Sequence, residues 1–337
     1  MLTLKKLGVA ILFILLSFFV GVAGVYLNIV TYAETPTNTS SVEKVVVVQP
    51  GQGLTAISTL LYQNKVILHP FKFRLLVRIK GYDKHIKAGE YMLSSAMTPK
   101  KILETMVDGK VYLRRLTIPE GYNLKQIAQA VETAGFAPEA DFFKAATDPD
   151  LVHSKGIEAQ TFEGYLFPET YYFPKGVKPE DIISTMVRRF WSVFKPEWEE
   201  QTKSLGLTIH QVLTLASIIE KETAVSDERP IISSVFHNRL KRNMRLESDP
   251  TVIYGMGDYN GNITRKDLER PTPYNTYTRR GLPPGPISNT GAKAIEAALY
   301  PAETKFLYFV SKNDQTHYFS TNFKDHNRAV RKFQLGR

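Results

Sequence analysis

The sequence predicts an α+β protein hung from a single N-terminal membrane helix, with a small α+β module behind a short tether and a larger α+β domain completing the chain. Three observations carry this. Residues 7–33 contain no charge, and the apolar run over residues 7–30 exceeds the ~20 residues a helix needs to cross a bilayer. Between residues 45 and 133 a β-branched strand, a Pro/Gly turn and an amphipathic helix follow one another twice. From about residue 161 the chain becomes dense in aromatic and turn-forming residues around one long apolar helix. A length of 337 residues allows two domains and a sizeable core.

In chain order, residues 1–33 read as a cytoplasmic stub and transmembrane helix. Lys5 and Lys6 precede the apolar run and Glu34 follows it. Excess positive charge on the short N-terminal side places that side in the cytoplasm and the bulk of the chain across the membrane. A cleaved signal peptide, with Thr31-Tyr32-Ala33 as its cleavage site, is the competing reading. Its apolar core would run only about 7 to 15 residues, so a retained anchor is expected. Residues 34–44 read as a tether, since Glu34-Thr35-Pro36-Thr37-Asn38-Thr39-Ser40-Ser41 is polar and has no apolar period.

Residues 45–150 form the small module or modules. Pro50-Gly51 followed by Leu54 and Ile57 recurs as Pro119-Glu120-Gly121 followed by Leu124 and Ile127, and Gly89-Glu90-Tyr91-Met92-Leu93 between them reads as another strand. This strand-turn-helix unit resembles the lysin-motif type of glycan-binding domain, with an ordinary αβ spacer as the alternative.

Residues 151–337 form the larger domain. Phe162-Glu163-Gly164-Tyr165-Leu166-Phe167-Pro168-Glu169-Thr170-Tyr171-Tyr172-Phe173 holds six aromatics and two carboxylates. Flat rings beside carboxylates suit sugars, and most of the six are also expected in the core. Leu207-Thr208-Ile209-His210-Gln211 opens a long helix with a reciprocal cap. Asp227 and Pro230 begin another, which ends in basic residues 239–245. Residues 248–286 read as loop chemistry and hence as a binding surface. A helix over residues 291–299 and strands at 306–310 and 317–319 close the domain.

Glu220 is the residue that stands out. At 3.6 residues per turn it falls on the row of Ile209, Leu213 and Ala216, all apolar. A carboxyl group taken out of water has its pKa raised, and it can then hold a proton near neutral pH and donate it as a general acid. The alternative is a structural ion pair with an Arg or Lys elsewhere in the chain.

Composition removes several other chemistries. No cysteine is present, which excludes disulfides, thiol catalysis and thiolate metal sites. The seven histidines include no pair on one helix face beside a glutamate, so no metal site is expected. Ser217 lies inside a helix and no Gly-x-Ser-x-Gly elbow occurs. The net charge is +10, yet no basic cluster interleaves with aromatics, so nucleic acid is not the expected partner; anionic lipid or an anionic wall polymer fits an exported domain better, with a generic solvated basic surface as the equal alternative. What remains is carboxylate chemistry, for which Asp249, Glu163 and Glu169 are candidate second carboxylates beside Glu220.

Several blocks in register carry a resemblance. Leu215-Ala216-Ser217-Ile218-Ile219-Glu220-Lys221-Glu222-Thr223, Phe236-His237-Asn238-Arg239-Leu240, Leu246-Glu247-Ser248-Asp249-Pro250-Thr251-Val252-Ile253-Tyr254-Gly255 and Tyr274-Asn275-Thr276-Tyr277, running on to Gly281-Leu282-Pro283-Pro284-Gly285-Pro286-Ile287, resemble the signature blocks of the endolytic murein transglycosylases, the YceG-like (MltG) family. Leu166-Phe167-Pro168-Glu169-Thr170-Tyr171 and Tyr308-Phe309-Val310 match in the same order.

The resemblance implies cleavage of nascent peptidoglycan strands between N-acetylmuramic acid and N-acetylglucosamine, leaving 1,6-anhydro ends and terminating strand growth. It implies Glu220 as the catalytic acid, then base, with no cofactor. Glu222, Asn238, Asp249, Tyr254, Asn275, Tyr277 and Glu169 are nominated as sugar and acetamide contacts, each with the alternative of tying down its own loop. The expected setting is the bacterial inner membrane with the catalytic domain outside the cytoplasm. The expected partners are glycan strands and the wall synthases, the penicillin-binding proteins. A non-catalytic glycan-binding scaffold and a two-carboxylate glycan hydrolase are the alternatives. His237 and Ser248 stand at variable positions, and Asn289-Thr290-Gly291 replaces the expected Asn-Pro-Gly, which questions the rigidity of that turn.

Overall fold

The computed structural model describes residues 2–38, 42–257, 259 and 261–336. Thr39, Ser40 and Ser41 of the expected tether, Asp258 and Asn260 of the glycine-rich loop, and the side chain of Lys5 lie outside the described residues. The chain divides into two compact units, Met1–Arg114 and Arg115–Arg337.

The first unit opens with α1 (Leu2–Glu34), and within it residues Lys6–Glu34 are long and apolar enough to cross a membrane. Most of its apolar side chains are exposed, but Ile29 and Ala33 near its end are buried in the unit's own core. There follow β1 (Glu43–Val48), α2 (Leu54–Gln63), α3 (Pro70–Ile79), β2 (Gly89–Ser94) and α4 (Pro99–Asp108). β1 and β2 pair antiparallel, Glu43 opposite Ser94 and Val48 opposite Gly89. Val46, Val48, Tyr91 and Leu93 face a core completed by Ile57, Leu61, Phe73, Val77 and Ile102. The alternation of buried and exposed valines in β1 is the period-2 signature of a half-buried strand.

The second strand-turn-helix copy opens the second unit: β3 (Leu113–Thr117) leads into α5 (Leu124–Thr133). In both copies the turn glycine takes a left-handed φ, 77° at Gly51 and 78° at Gly121, which a side chain would oppose. After α6 (Glu139–Ala146) and α7 (Pro149–Ser154), β4 (Thr170–Pro174) pairs with β3. Of the six aromatics in residues 162–173, five are buried and Tyr172 alone is exposed.

α8 (Pro179–Val193) and α9 (Pro196–Ser204) precede the central α10 (Ile209–Glu222). α10 is capped as its sequence predicts: Gln211 N–H donates to Thr208 Oγ1 at 3.2 Å, and Thr208 N–H donates to Gln211 Oε1 at 2.9 Å. It packs on α9, on α11 (Arg229–Lys241), on α12 (Asp249–Met256) and on α14 (Ala292–Leu299).

The stretch read from sequence as continuous loop holds α12 and a further helix, α13 (Arg265–Glu269). Pro250 in the first turn of α12 and the Thr264–Asp267 capping box of α13 are turn-forming residues acting as helix starts. β5 (Tyr308–Ser311) and β6 (His317–Ser320) pair antiparallel, and α15 (Phe323–Phe333) closes the chain.

Candidate active site

Glu220 lies in the last turn of α10, whose preceding residues 212–219 are all buried. Leu213 and Ala216, on its own row, have no exposure. Its side chain is 6% exposed and meets a cation: Arg229 Nη2 donates to Glu220 Oε1 at 2.9 Å from the start of α11. The other carboxyl oxygen, Oε2, accepts the Gly291 N–H at 3.1 Å from the residue that caps α14. Both oxygens are therefore held, one by a side chain and one by backbone.

Burial pushes the Glu220 carboxyl above the usual carboxylate range; Arg229 and the Gly291 N–H pull the other way, and the neighbouring Glu120 carboxylate adds to the rise. Loss of water outweighs the guanidinium. Arg229 Nε and the hydroxyls of Ser233, Ser288 and Thr290 are buried with no hydrogen-bond partner among the described residues. Buried donors of this kind ordinarily meet water or ligand.

The turn at residues 289–291 is held by hydrogen bonds although Thr290 stands where proline is expected. The Asn289 amide nitrogen donates to Tyr122 O at 3.1 Å and to Glu163 Oε1 at 2.9 Å. Asn289 Oδ1 accepts Leu166 N–H at 2.8 Å, and its carbonyl accepts Gly121 N–H at 2.8 Å. The turn is thus tied to residues 121–122 and 163–166. Glu163 is the buried hub of this network, also accepting from Leu124 N–H and Tyr254 Oη at 3.1 Å each. Burial pushes its carboxyl up to about 7 against the pull of those donors.

The nominated contact residues sort into groups. Glu222, Asp249 and Tyr277 come together in a cleft of about 420 Å³ that Arg239, His317 and His326 also line. Tyr277 Oη donates to Asp249 Oδ1 at 2.6 Å, and Ser248 Oγ donates to Glu222. Burial pushes Glu222 up to about 7, the Ser248 hydrogen bond opposing and Asp249 assisting. A larger hollow in the same unit, about 580 Å³ between Phe136 and Glu180, contains none of these groups.

The remaining nominees are engaged within the protein. Asn238 donates its amide to Thr304 O and Phe306 O at 2.9 and 3.0 Å. Asn275 is buried, donating to Leu268 O and Arg270 O and accepting Tyr277 N–H. Tyr254 binds Glu163, and its ring packs on Tyr274. Glu169 is ion-paired with Arg189. Ser248 donates to Glu222, and His237 Nε2 lies 2.8 Å from Ala298 O.

A family model described as YceG-like matches residues 46–332, most of the chain. The chain belongs to the YceG-like family. Among its YceG-like relatives is an endolytic murein transglycosylase of Bacillus subtilis (strain 168), 36% identical over 300 residues that cover 84% of this chain and 82% of the relative. An endolytic murein transglycosylase of Streptococcus pneumoniae serotype 2 is 32% identical over 312 residues, 83% of this chain, which spans 56% of that longer protein. The crystal structure of a YceG-like protein from Listeria monocytogenes, 38% identical, superposes with a TM-score of 0.59 over 86% of this chain and 99% of that one.

Two groups around Glu220 in this YceG-like chain escaped the sequence reading. In the sequence Arg229 stands only as part of a helix start, and Glu120 only as the middle of a turn. The signal for Arg229 was a basic residue beside Pro230 in a first turn, where a cation opposes the helix dipole and so calls for a compensating carboxylate. For Glu120 no local signal existed, because its approach depends on how residues 119–121 and 289–291 close together.

Proposed function

We propose that this YceG-like chain is an endolytic peptidoglycan lytic transglycosylase whose acid is Glu220. The observation that carries the reading is a carboxyl group kept largely from water on α10, with its rotamer fixed from two sides and its pKa raised, in the block shared with the family.

In this scheme Glu220 gives its proton to the glycosidic oxygen as the bond to the muramoyl anomeric carbon breaks, while the sugar's 2-acetamido group stabilises the developing charge. The muramoyl 6-hydroxyl then attacks that carbon and yields its proton to the Glu220 carboxylate. The acid is restored, no water is consumed, and the cut strand ends in a 1,6-anhydro ring. One carboxyl group serves both steps, so none of Asp249, Glu163 and Glu169 is required as nucleophile. The polar cleft of Glu222, Asp249 and Tyr277 supplies acceptors and donors suited to sugar hydroxyls.

The first unit fits a lysin-motif-like glycan-binding module, its support being two helices enclosed between the antiparallel strands β1 and β2. Within the wider division into an anchor (residues 1–33), a tether (34–44), a module (45–150) and a catalytic domain (151–337), α1 would hold the enzyme in the bacterial inner membrane, N-terminus inside. Catalysis would then occur outside the cytoplasm near the wall synthases, where strands emerge. The Arg229–Glu220 pair is also what a non-catalytic glycan-binding scaffold would contain, and one substitution separates the two. Glu220→Gln in the full chain should abolish anhydro-muramoyl products from purified glycan, read by mass spectrometry, while leaving the fold intact. Undiminished cutting by this variant removes Glu220 from the mechanism, and products with reducing ends, heavier by one water, indicate the two-carboxylate hydrolase.

A further inference from the structure

We propose that Glu120 is a positioning residue of this site, a second carboxylate that acts across Gly291 to hold Glu220 in its acid form. The proposal rests on Glu220 being the acid and adds the element that keeps it one.

The geometry centres on a single glycine. A Cβ placed on Gly291 would lie 1.8 Å from Glu120 Oε1, 2.2 Å from its Cδ and 2.8 Å from Oε2. No side chain larger than hydrogen leaves Glu120 where it is. Yet the backbone of Gly291, φ −73° and ψ 166°, is one any residue adopts. Conformation therefore does not call for glycine here; what the missing side chain gives is room for the flexible end of Glu120 to lie against this backbone. The same residue's N–H donates to Glu220 Oε2, so Gly291 has one carboxyl group against its Cα and the other on its N–H.

The approach is built in from the backbone. Gly121 N–H donates to Asn289 O, and the Asn289 N–H donates to Tyr122 O, both at 2.8 Å, which bolts the Glu120 turn to the Gly291 turn. A Cβ on Gly121 would contact Glu220 Cγ at 3.8 Å, so the turn also lies on the stem of the acid.

Among the described residues the charges that act on Glu220 are Arg229 from α11 and Glu120 from the β3–α5 turn, while α14 offers the uncharged Gly291 N–H. Lys221, next on α10, turns its Nζ to the Gly121 carbonyl at 3.4 Å. Arg229 and the N–H both favour the ionised form, which could not protonate a leaving oxygen. Among the described residues Glu120 is the charge that opposes them, and a like charge nearby favours proton retention. Because Glu120 is exposed, it can do this without itself being taken out of water.

The test is the pH dependence of strand cutting by the full chain on purified glycan, comparing wild type with Glu120→Gln, Glu120→Asp, Gly291→Ala and Glu220→Gln. Glu120→Gln removes the charge, and Gly291→Ala keeps the N–H but displaces the carboxylate. Both should move the alkaline limb of the profile to lower pH, with roughly threefold or greater loss at the alkaline end relative to the acidic end. Glu120→Asp should lie between them and wild type, and combining Glu120→Gln with Gly291→Ala should shift the limb no further than Glu120→Gln alone. An unmoved limb in both single variants, with Glu220→Gln inactive, overturns this proposal alone. Full activity in Glu220→Gln overturns the reading beneath it.

Discussion

Glu222 and Glu163 are both carboxyls that burial lifts to about 7, and they make the stability of the fold pH-dependent in a definite direction. Folded, Glu222 keeps its proton to about 7; unfolded, it loses it near the ordinary ~4.3. As pH rises through that window the unfolded chain releases a proton that the folded chain retains, so this group's contribution to stability falls and then levels off above about 7. In Glu222→Gln the amide oxygen can still accept from Ser248, and the titration is gone. Urea unfolding midpoints at pH 5 and pH 7.5 should therefore drop less in the variant than in wild type. Glu163 titrates in both chains and cancels in the comparison, so equal drops would place Glu222 in solvent. Glu220 itself was legible because its apolar row requires only the helical period. Its partners were not, since Arg229 and Glu120 reach it by tertiary closure that no local spacing encodes.

At the scale of the element, α10 carries Glu220 at its C-terminal turn while its N-terminus is fixed by the Thr208–Gln211 box. Thr208→Ala should cost about 1 kcal/mol of unfolding free energy in denaturant titration, the usual worth of such a cap. A loss indistinguishable from zero would mean that packing on α9, α11, α12 and α14 alone sets the helix. This helix and its cap could be read from sequence because period and cap residues agreed. α12 and α13 could not, because their Pro, Asp and Thr residues mark turns and helix starts alike, and only the burial of Thr251 and Val252 decides which. The aromatic segment at 162–173 was readable as core for the same reason that α10 was: its bulk is apolar, and five of six rings are indeed enclosed.

For the whole molecule, the end of α1 belongs to the first unit's core and the rest of it does not. Removing residues 1–28 should release the protein from membranes on fractionation and leave its unfolding temperature unchanged, since Ile29 and Ala33 remain packed. Removing residues 1–34 strips both from the core and the Glu34–Lys100 ion pair with them, and should lower stability by roughly 1–3 kcal/mol. Equal stability of the two truncations would show that the end of α1 contributes nothing to the fold. In the second unit, the hydrogen bonds around Glu220 join residues far apart along the chain: Gly291 to Glu220 across 71 positions, Asn289 to Leu166 across 123 and Asn289 to Tyr122 across 167. Contacts so distant form late, after loop closure has been achieved. A polypeptide whose last third has yet to be released holds Glu220, Leu166 and Tyr122 but neither Asn289 nor Gly291, so these contacts close only when that last third arrives.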